Sequence, residues 1–154
     1  GLVNAADIKA ALKSGKVSKY VVDFPDAETV NCEGIIAIPH LGASTEESED
    51  NCAVMAAEEL KDYLENGNIT NSVNCPNCSL PDSGVGRITI LHKNIPNAIA
   101  KYTEALGNVN ISGMINKSKG DVAYSIINTD HEIPTEAVSK LEGMDSVITV
   151  RVIK

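Results

Sequence analysis

Hydrophobic residues recur with two different periods along the first half of the chain. Apolar residues at helical spacing predict a helix over residues 6–13. β-forming residues predict a strand over 17–24, and an unbroken apolar run predicts a buried strand over 35–38, which Pro39 ends because proline donates no ladder hydrogen bond. A long helix with one apolar stripe is predicted from residue 45 to about residue 65. This helix–strand–strand–helix order is typical of the closing part of a parallel α/β unit.

The second half of the chain shows a more regular pattern of short strands and helices. Prolines open both predicted helices and glycines close them. The resulting order, βαββαβ, is that of a ferredoxin-like split unit. The predicted elements are strand 87–92, helix 96–106, strands 109–116 and 122–128, a helix opened by residue 134 and closed by residue 143, and strand 147–153.

Between the two halves lies a stretch rich in asparagine, proline and serine with no long hydrophobic period. Such composition favours turns over regular structure, so a linker is predicted over residues 69–85. The predicted domains are therefore 1–68 and 86–154, both of the α/β class.

Composition narrows the classes of function. Thirteen basic and twenty-one acidic residues give a net charge of −8, which argues against binding to nucleic acid or to anionic membrane surfaces. No apolar run approaches the ~20 residues that span a bilayer. The first residues show no signal-peptide pattern, and the missing initiator methionine suggests a fragment of a longer chain. The four cysteines include one C-x-x-C, Cys75–Cys78, inside the predicted linker, and we expect free thiols in a reducing cytoplasm.

His40 is the first candidate for chemistry. It lies in the turn between a predicted strand and a predicted helix that a capping box of Ser44 and Glu47 would open. Ligands of open α/β sheets bind at such strand ends, and an imidazole there exchanges a proton near neutral pH. The alternative is a surface histidine bonded to a nearby carbonyl.

The segment P-H-L-G-A-S-T-E-E, residues 39–47, resembles the catalytic-histidine segment of the D-isomer 2-hydroxyacid dehydrogenases, and most closely that of their phosphoglycerate-oxidising members. The resemblance implies that His40 is the acid/base, accepting the substrate hydroxyl proton while hydride passes from C2 to NAD. It also implies that Asp23, at a strand end, contacts the nicotinamide carboxamide. An ordinary strand-end acid is the alternative for Asp23.

The chain departs from that family in two ways. Most members pair the histidine with a glutamate, but neither Asp26 nor Glu28 falls on its position, so the partner of His40 stays open. No G-x-G-x-x-G motif occurs in the 154 residues. The resemblance thus covers a carboxyl-terminal portion with the closing part of a Rossmann-like unit, which we expect to be inactive alone.

The segments H-K-N-I-P-N, residues 92–97, and V-N-I, residues 109–111, resemble the ACT domain of serine-regulated members of the family. The resemblance implies that His92, Asn94 and Asn110 hold L-serine at an interface between two ACT domains of a homo-oligomer. Amide side chains both donate and accept, so they suit an amino-acid ligand. The alternative is turn-forming asparagines and a solvated histidine. Asn97 stands where the family usually has glycine.

The predicted function follows from both resemblances. It is oxidation of 3-phospho-D-glycerate to 3-phosphohydroxypyruvate with NAD in L-serine biosynthesis, with serine feedback through the ACT domain and no metal. One alternative is a different 2-hydroxyacid dehydrogenase, which would usually lack the appended ACT domain. Another is a free amino-acid-binding regulatory module.

Overall fold

A computed structural model describes residues 2–81 and 85–153 as two compact units that divide within one long helix, between Ala53 and Val54. The mixed α/β class is confirmed. The elements up to the end of that helix are α1 (Ala5–Lys13), β1 (Tyr20–Val22), β2 (Ile35–Ala37) and α2 (Glu46–Asn66).

The first unit contains a helix and a two-stranded parallel sheet. Asn4 caps α1, because its Oδ1 accepts hydrogen bonds from the backbone N–H groups of Ala6 (2.9 Å) and Asp7 (3.2 Å). β1 and β2 pair in parallel, with Val22 opposite Ala37 at their carboxyl ends. The residues that follow the two strands therefore begin at one edge of the sheet.

Helix α2 begins at Glu46, one residue later than predicted. The hydroxyl of Thr45 accepts a hydrogen bond from the N–H of Ser48 at 3.2 Å, so Thr45 is the N-cap in place of Ser44. The predicted capping box of Ser44 and Glu47 is therefore wrong by one position. The predicted end is correct, since Gly67 follows the helix at a φ of +72°, where glycine carries no steric penalty.

The second unit confirms the predicted βαββαβ order. Its elements are β3 (Gly86–Lys93), α3 (Ala98–Leu106), β4 (Ile111–Lys119), β5 (Val122–Thr129), α4 (Thr135–Glu142) and β6 (Val147–Val152). The four strands form one antiparallel sheet in the order β4-β5-β3-β6, which leaves β4 and β6 as edges.

Both faces of this sheet carry a buried cluster. One face packs against α3 and α4, with Ile90, Tyr102 and Leu141 fully buried between them. The opposite face carries Tyr124 and Ile126, because successive strand side chains point to opposite sides. Burial on both faces explains the nearly continuous buried run along β3 and β5.

Residues 69–81 cover that second face. Ile69 and Cys78 form an antiparallel bridge, with N–H···O distances of 2.8 and 2.9 Å, and both side chains join the cluster around Tyr124. That residues 69–85 are a linker between two domains stays a prediction. The described part of this segment packs onto the sheet, and residues 82–84 lie outside the described residues.

Candidate functional sites

The parallel pair of strands places His40 beside Asp23. Asp23 directly follows β1 and His40 follows β2 by three residues, and the Nδ1 of His40 lies 3.0 Å from the Oδ2 of Asp23. The ring of Phe24 stands edge-on to the imidazole, with 5.7 Å between centroids. A carboxylate accepts the Nδ1 proton, which leaves Nε2 as the nitrogen that exchanges a proton with a substrate. The pair is accessible, since the His40 and Asp23 side chains are 64% and 47% exposed.

The two acids considered from the sequence as partners of His40 make other contacts. The Oδ1 of Asp26 accepts hydrogen bonds from the Thr29 hydroxyl (2.8 Å) and from the backbone N–H groups of Thr29 (2.9 Å) and Glu28 (3.0 Å). These bonds, that of the Thr29 side chain above all, hold the pKa of Asp26 below its usual value. Glu28 instead lies 3.6 Å from the ammonium of Lys9. The described carboxylate contact to His40 is therefore that of Asp23.

His92 lies inside the second unit and is only 1% exposed. Its Nδ1 lies 2.9 Å from the carbonyl oxygen of Lys93, and its Nε2 lies 3.1 Å from both the Oδ1 of Asn116 and the Oγ of Ser125. The ring of Tyr102 packs against the imidazole at 4.8 Å between centroids. Both ring nitrogens thus face protein groups, and the sequence pattern indicated neither Asn116 nor Ser125.

The two asparagines of the predicted effector site lie at opposite ends of the sheet. The amide of Asn94 donates to the carbonyl oxygen of Gly120 at 3.0 Å, in the turn between β4 and β5. The amide of Asn110 donates to Asp130 at 2.9 Å, just beyond the other end of the same strand pair. The eight residues of β5 separate the two ends by roughly 25 Å at ~3.3 Å per residue. One chain alone therefore does not bring these asparagines together.

Asp130 was not predicted from the sequence. Its carboxylate contacts the Nδ1 of His131 at 2.7 Å as well as the Asn110 amide. The bond from His131, followed by that from Asn110, holds the pKa of Asp130 below its usual value. Asp130 is therefore an anionic group directly beside one predicted effector residue.

Across residues 2–81 and 85–153, the structure contains no group of three or more His, Cys, Asp or Glu side chains placed to hold a metal. Within the same ranges, no helix is long and apolar enough to cross a membrane.

The fold and contacts define an α/β protein with an accessible histidine–aspartate pair at a parallel strand edge and a separate ferredoxin-like unit. Over 99% of its length the chain is similar to D-3-phosphoglycerate dehydrogenases. The identities are 30% to that of Haemophilus influenzae, 27% to that of Escherichia coli K12 and 26% to that of Dictyostelium discoideum. The resemblance predicted from the sequence is thereby confirmed.

The chain spans only part of these relatives, namely 42%, 43% and 40% of their respective lengths. No family model matches it. A crystal structure of a protein from Bacteroides thetaiotaomicron aligns with 44% of this chain and 45% of that one, at a TM-score of 0.34 and 20% identity.

Proposed function

We propose that this chain is the carboxyl-terminal portion of an NAD-dependent D-3-phosphoglycerate dehydrogenase. The observation that carries the proposal is the similarity to enzymes of that name along 99% of the chain. The placement of His40 and Asp23 at one strand edge supports it. In the parent enzyme the substrate would be 3-phospho-D-glycerate and the product 3-phosphohydroxypyruvate.

In this mechanism His40 moves the proton. Its Nε2 accepts the proton of the C2 hydroxyl as the carbon becomes a carbonyl. A bound NAD would supply the hydride acceptor. Asp23 fixes the imidazole through Nδ1 and stabilises the imidazolium that forms. The second oxygen of Asp23 suits a carboxamide N–H, so the residues present fit the nicotinamide end of the cofactor. We expect no turnover from these 154 residues alone, because they contain no glycine-rich pyrophosphate motif.

The test is a comparison of two histidines in the longer protein that contains this segment. NADH formation from 3-phospho-D-glycerate is measured for His40→Asn and for His131→Asn, a matched control because His131 also contacts an aspartate at the surface. General acid–base catalysis contributes roughly 10²–10⁴-fold, so His40→Asn should lose at least ~100-fold in kcat while His131→Asn retains wild-type activity. Equal activity of the two variants would refute the role of His40, and activity on another 2-hydroxyacid alone would refute the substrate.

We further propose that the βαββαβ unit is an ACT-type sensor of L-serine that works as a pair of copies. Asn110 immediately precedes the edge strand β4, and Asn94 contacts the turn that follows it. A two-fold pairing of β4 with the same strand of a second copy is antiparallel, so it brings the Asn94 end of one copy beside the Asn110 end of the other. Such pairing would also cover an open sheet edge.

Isothermal titration of L-serine into this chain tests the sensor, with glycine and D-serine as controls. Selective binding of L-serine that is lost in Asn110→Ala is expected, together with a dimer in sedimentation analysis. His92 would act by holding the loop of Asn94, because its own ring nitrogens face Lys93, Asn116 and Ser125. Unchanged serine affinity in Asn110→Ala would contradict the placement of the site.

A further inference from the structure

A cavity of about 390 Å³ lies on the sheet face opposite α3 and α4. The second half of α2 forms one wall, the segment that begins at Asn68 forms another, and the sheet forms the floor. Its size falls within the ~300–1,000 Å³ of small-molecule sites. Most of its lining is apolar, including Leu60, Ile69 and Leu91, and all of its lining residues belong to the second unit.

One fixed positive charge lines this cavity. The guanidinium carbon of Arg151 lies 4.4 Å from the centroid of the Tyr63 ring. Its two terminal nitrogens donate to the carbonyl oxygens of Tyr63 and Leu64, each at 3.2 Å, in the last turn of α2. Stacking and helix-end bonding hold the planar group in one place. Since a guanidinium has five N–H donors, these two bonds leave others to meet an anion.

The acidic residue of the lining already has a partner. The Oε1 of Glu59 accepts a hydrogen bond from the Asn71 amide at 2.6 Å, in an exposed position. Arg151 is half-buried and is the cation of the lining, and its planar guanidinium suits a carboxylate. The apolar walls select a hydrocarbon body, because transfer of apolar surface out of water is favourable.

We propose that this cavity binds a small apolar carboxylic acid, with its carboxylate on Arg151 and its hydrocarbon part between Leu60, Ile69 and Leu91. Cys75 lies beside the ligand, since its half-buried side chain also lines the cavity. None of these residues belongs to the proposed dehydrogenase or serine sites. The proposal for this cavity can therefore be tested independently of the proposals for those two sites.

The test compares an acid with its neutral analogue. 3-Phenylpropionate and 3-phenylpropionamide are titrated into the 154-residue chain, with binding followed by ligand-observed NMR. The acid is expected to bind at least tenfold more tightly than the amide. Equal affinity for the two compounds, or binding of neither, would overturn the proposal.

Two variants separate the charge from the cavity. Arg151→Met keeps an apolar stem and should abolish the preference for the acid. Cys75→Phe should fill the cavity and abolish binding of both compounds, whereas Cys52→Phe, at an exposed position of α2, should leave both unchanged. Circular dichroism checks folding. If Arg151→Met unfolds, undiminished binding in folded Cys75→Phe still refutes the site, and loss of binding there supports it.

Discussion

Alkaline pH is expected to destabilise this protein through the thiol of Cys78. Cys78 is 2% exposed, and its Sγ–H is directed to the carbonyl oxygen of Tyr124 at 3.7 Å. Burial raises the pKa of the Cys78 thiol from 9.0 to about 11, although the positive charges of Lys117 and Arg87 oppose the rise. Between these values the unfolded chain releases the proton and the folded chain retains it. The protonated Cys78 thiol therefore makes its full contribution to the unfolding free energy below pH 9, and this contribution is lost as the pH rises through 11.

The size of the effect follows from the shift. One pKa unit corresponds to ~1.4 kcal/mol, so at pH 10, one unit above the ordinary pKa of 9.0, the loss should be about 1.4 kcal/mol. Above pH 11 the loss should approach roughly 3 kcal/mol, the equivalent of two units. Burial also raises the pKa of Tyr124, to about 12, so this neighbour ionises later.

Urea unfolding under reducing conditions, at pH 7.5 and pH 10, measures this effect in the wild type and in Cys78→Ala. The variant is less stable at pH 7.5 because it loses packing. The difference in unfolding free energy between the two proteins should narrow by about 1.4 kcal/mol at pH 10, since only the wild type carries the buried thiol. Cys52→Ala, which removes an exposed thiol, should show no narrowing. If the gap between wild type and Cys78→Ala is the same at both pH values, the assigned burial of the thiol is wrong.

Four further substitutions test other parts of the structure. Gly67→Ala should cost ~1–3 kcal/mol in urea unfolding, because Gly67 has a φ of +72° and an added Cβ would lie 2.5 Å from the Thr89 Cγ2. Gly15→Ala, at a φ of +75° where a Cβ would meet no described atom within 4 Å, should cost less, and equal costs would contradict the close approach at Gly67. Ile126→Ala should cost ~2–5 kcal/mol because the side chain is fully buried, and a loss below 1 kcal/mol would place it outside the core. Asp23→Asn should lower kcat of the longer enzyme while its melting temperature stays unchanged, because exposed ion pairs contribute ~0–1 kcal/mol; unchanged kcat would remove Asp23 from the mechanism.

The second unit was largely predictable because its signals are local. A strand was predicted over 122–128 and the structure has Val122–Thr129. The last strand was predicted over 147–153 and the structure has Val147–Val152. Period-two alternation and helix-ending glycines depend only on neighbours in sequence. The first unit was less predictable: a strand was expected over 17–24, but only Tyr20–Val22 pairs, because ladder length depends on the partner strand.

The residue that contacts His40 could not be predicted from the spacing of residues along the chain. The family resemblance directed attention to the loop of Asp26 and Glu28 and left the partner open, because neither acid falls on the family's glutamate position. In the structure Asp26 is engaged by its own turn. The contact to Asp23 depends on the parallel pairing of β1 with β2, which is tertiary structure and not local spacing. The sequence offered one indication of this contact: His40 and Asp23 each lie at the end of a predicted strand. The burial of His92 likewise depends on tertiary packing from α3 and β5.

Asn97 stands where the resembled family usually has glycine, and its backbone adopts a conformation that favours glycine. This residue follows Pro96 at a φ of +61°, in the left-handed region that glycine adopts without penalty. Asparagine is among the side chains that tolerate this region best, so the backbone path is retained at small cost. Compared with glycine, Asn97 adds a polar side chain three residues after Asn94, the residue proposed to contact the effector. We therefore expect the difference from glycine to affect the selectivity of the proposed effector site and to leave the loop conformation intact.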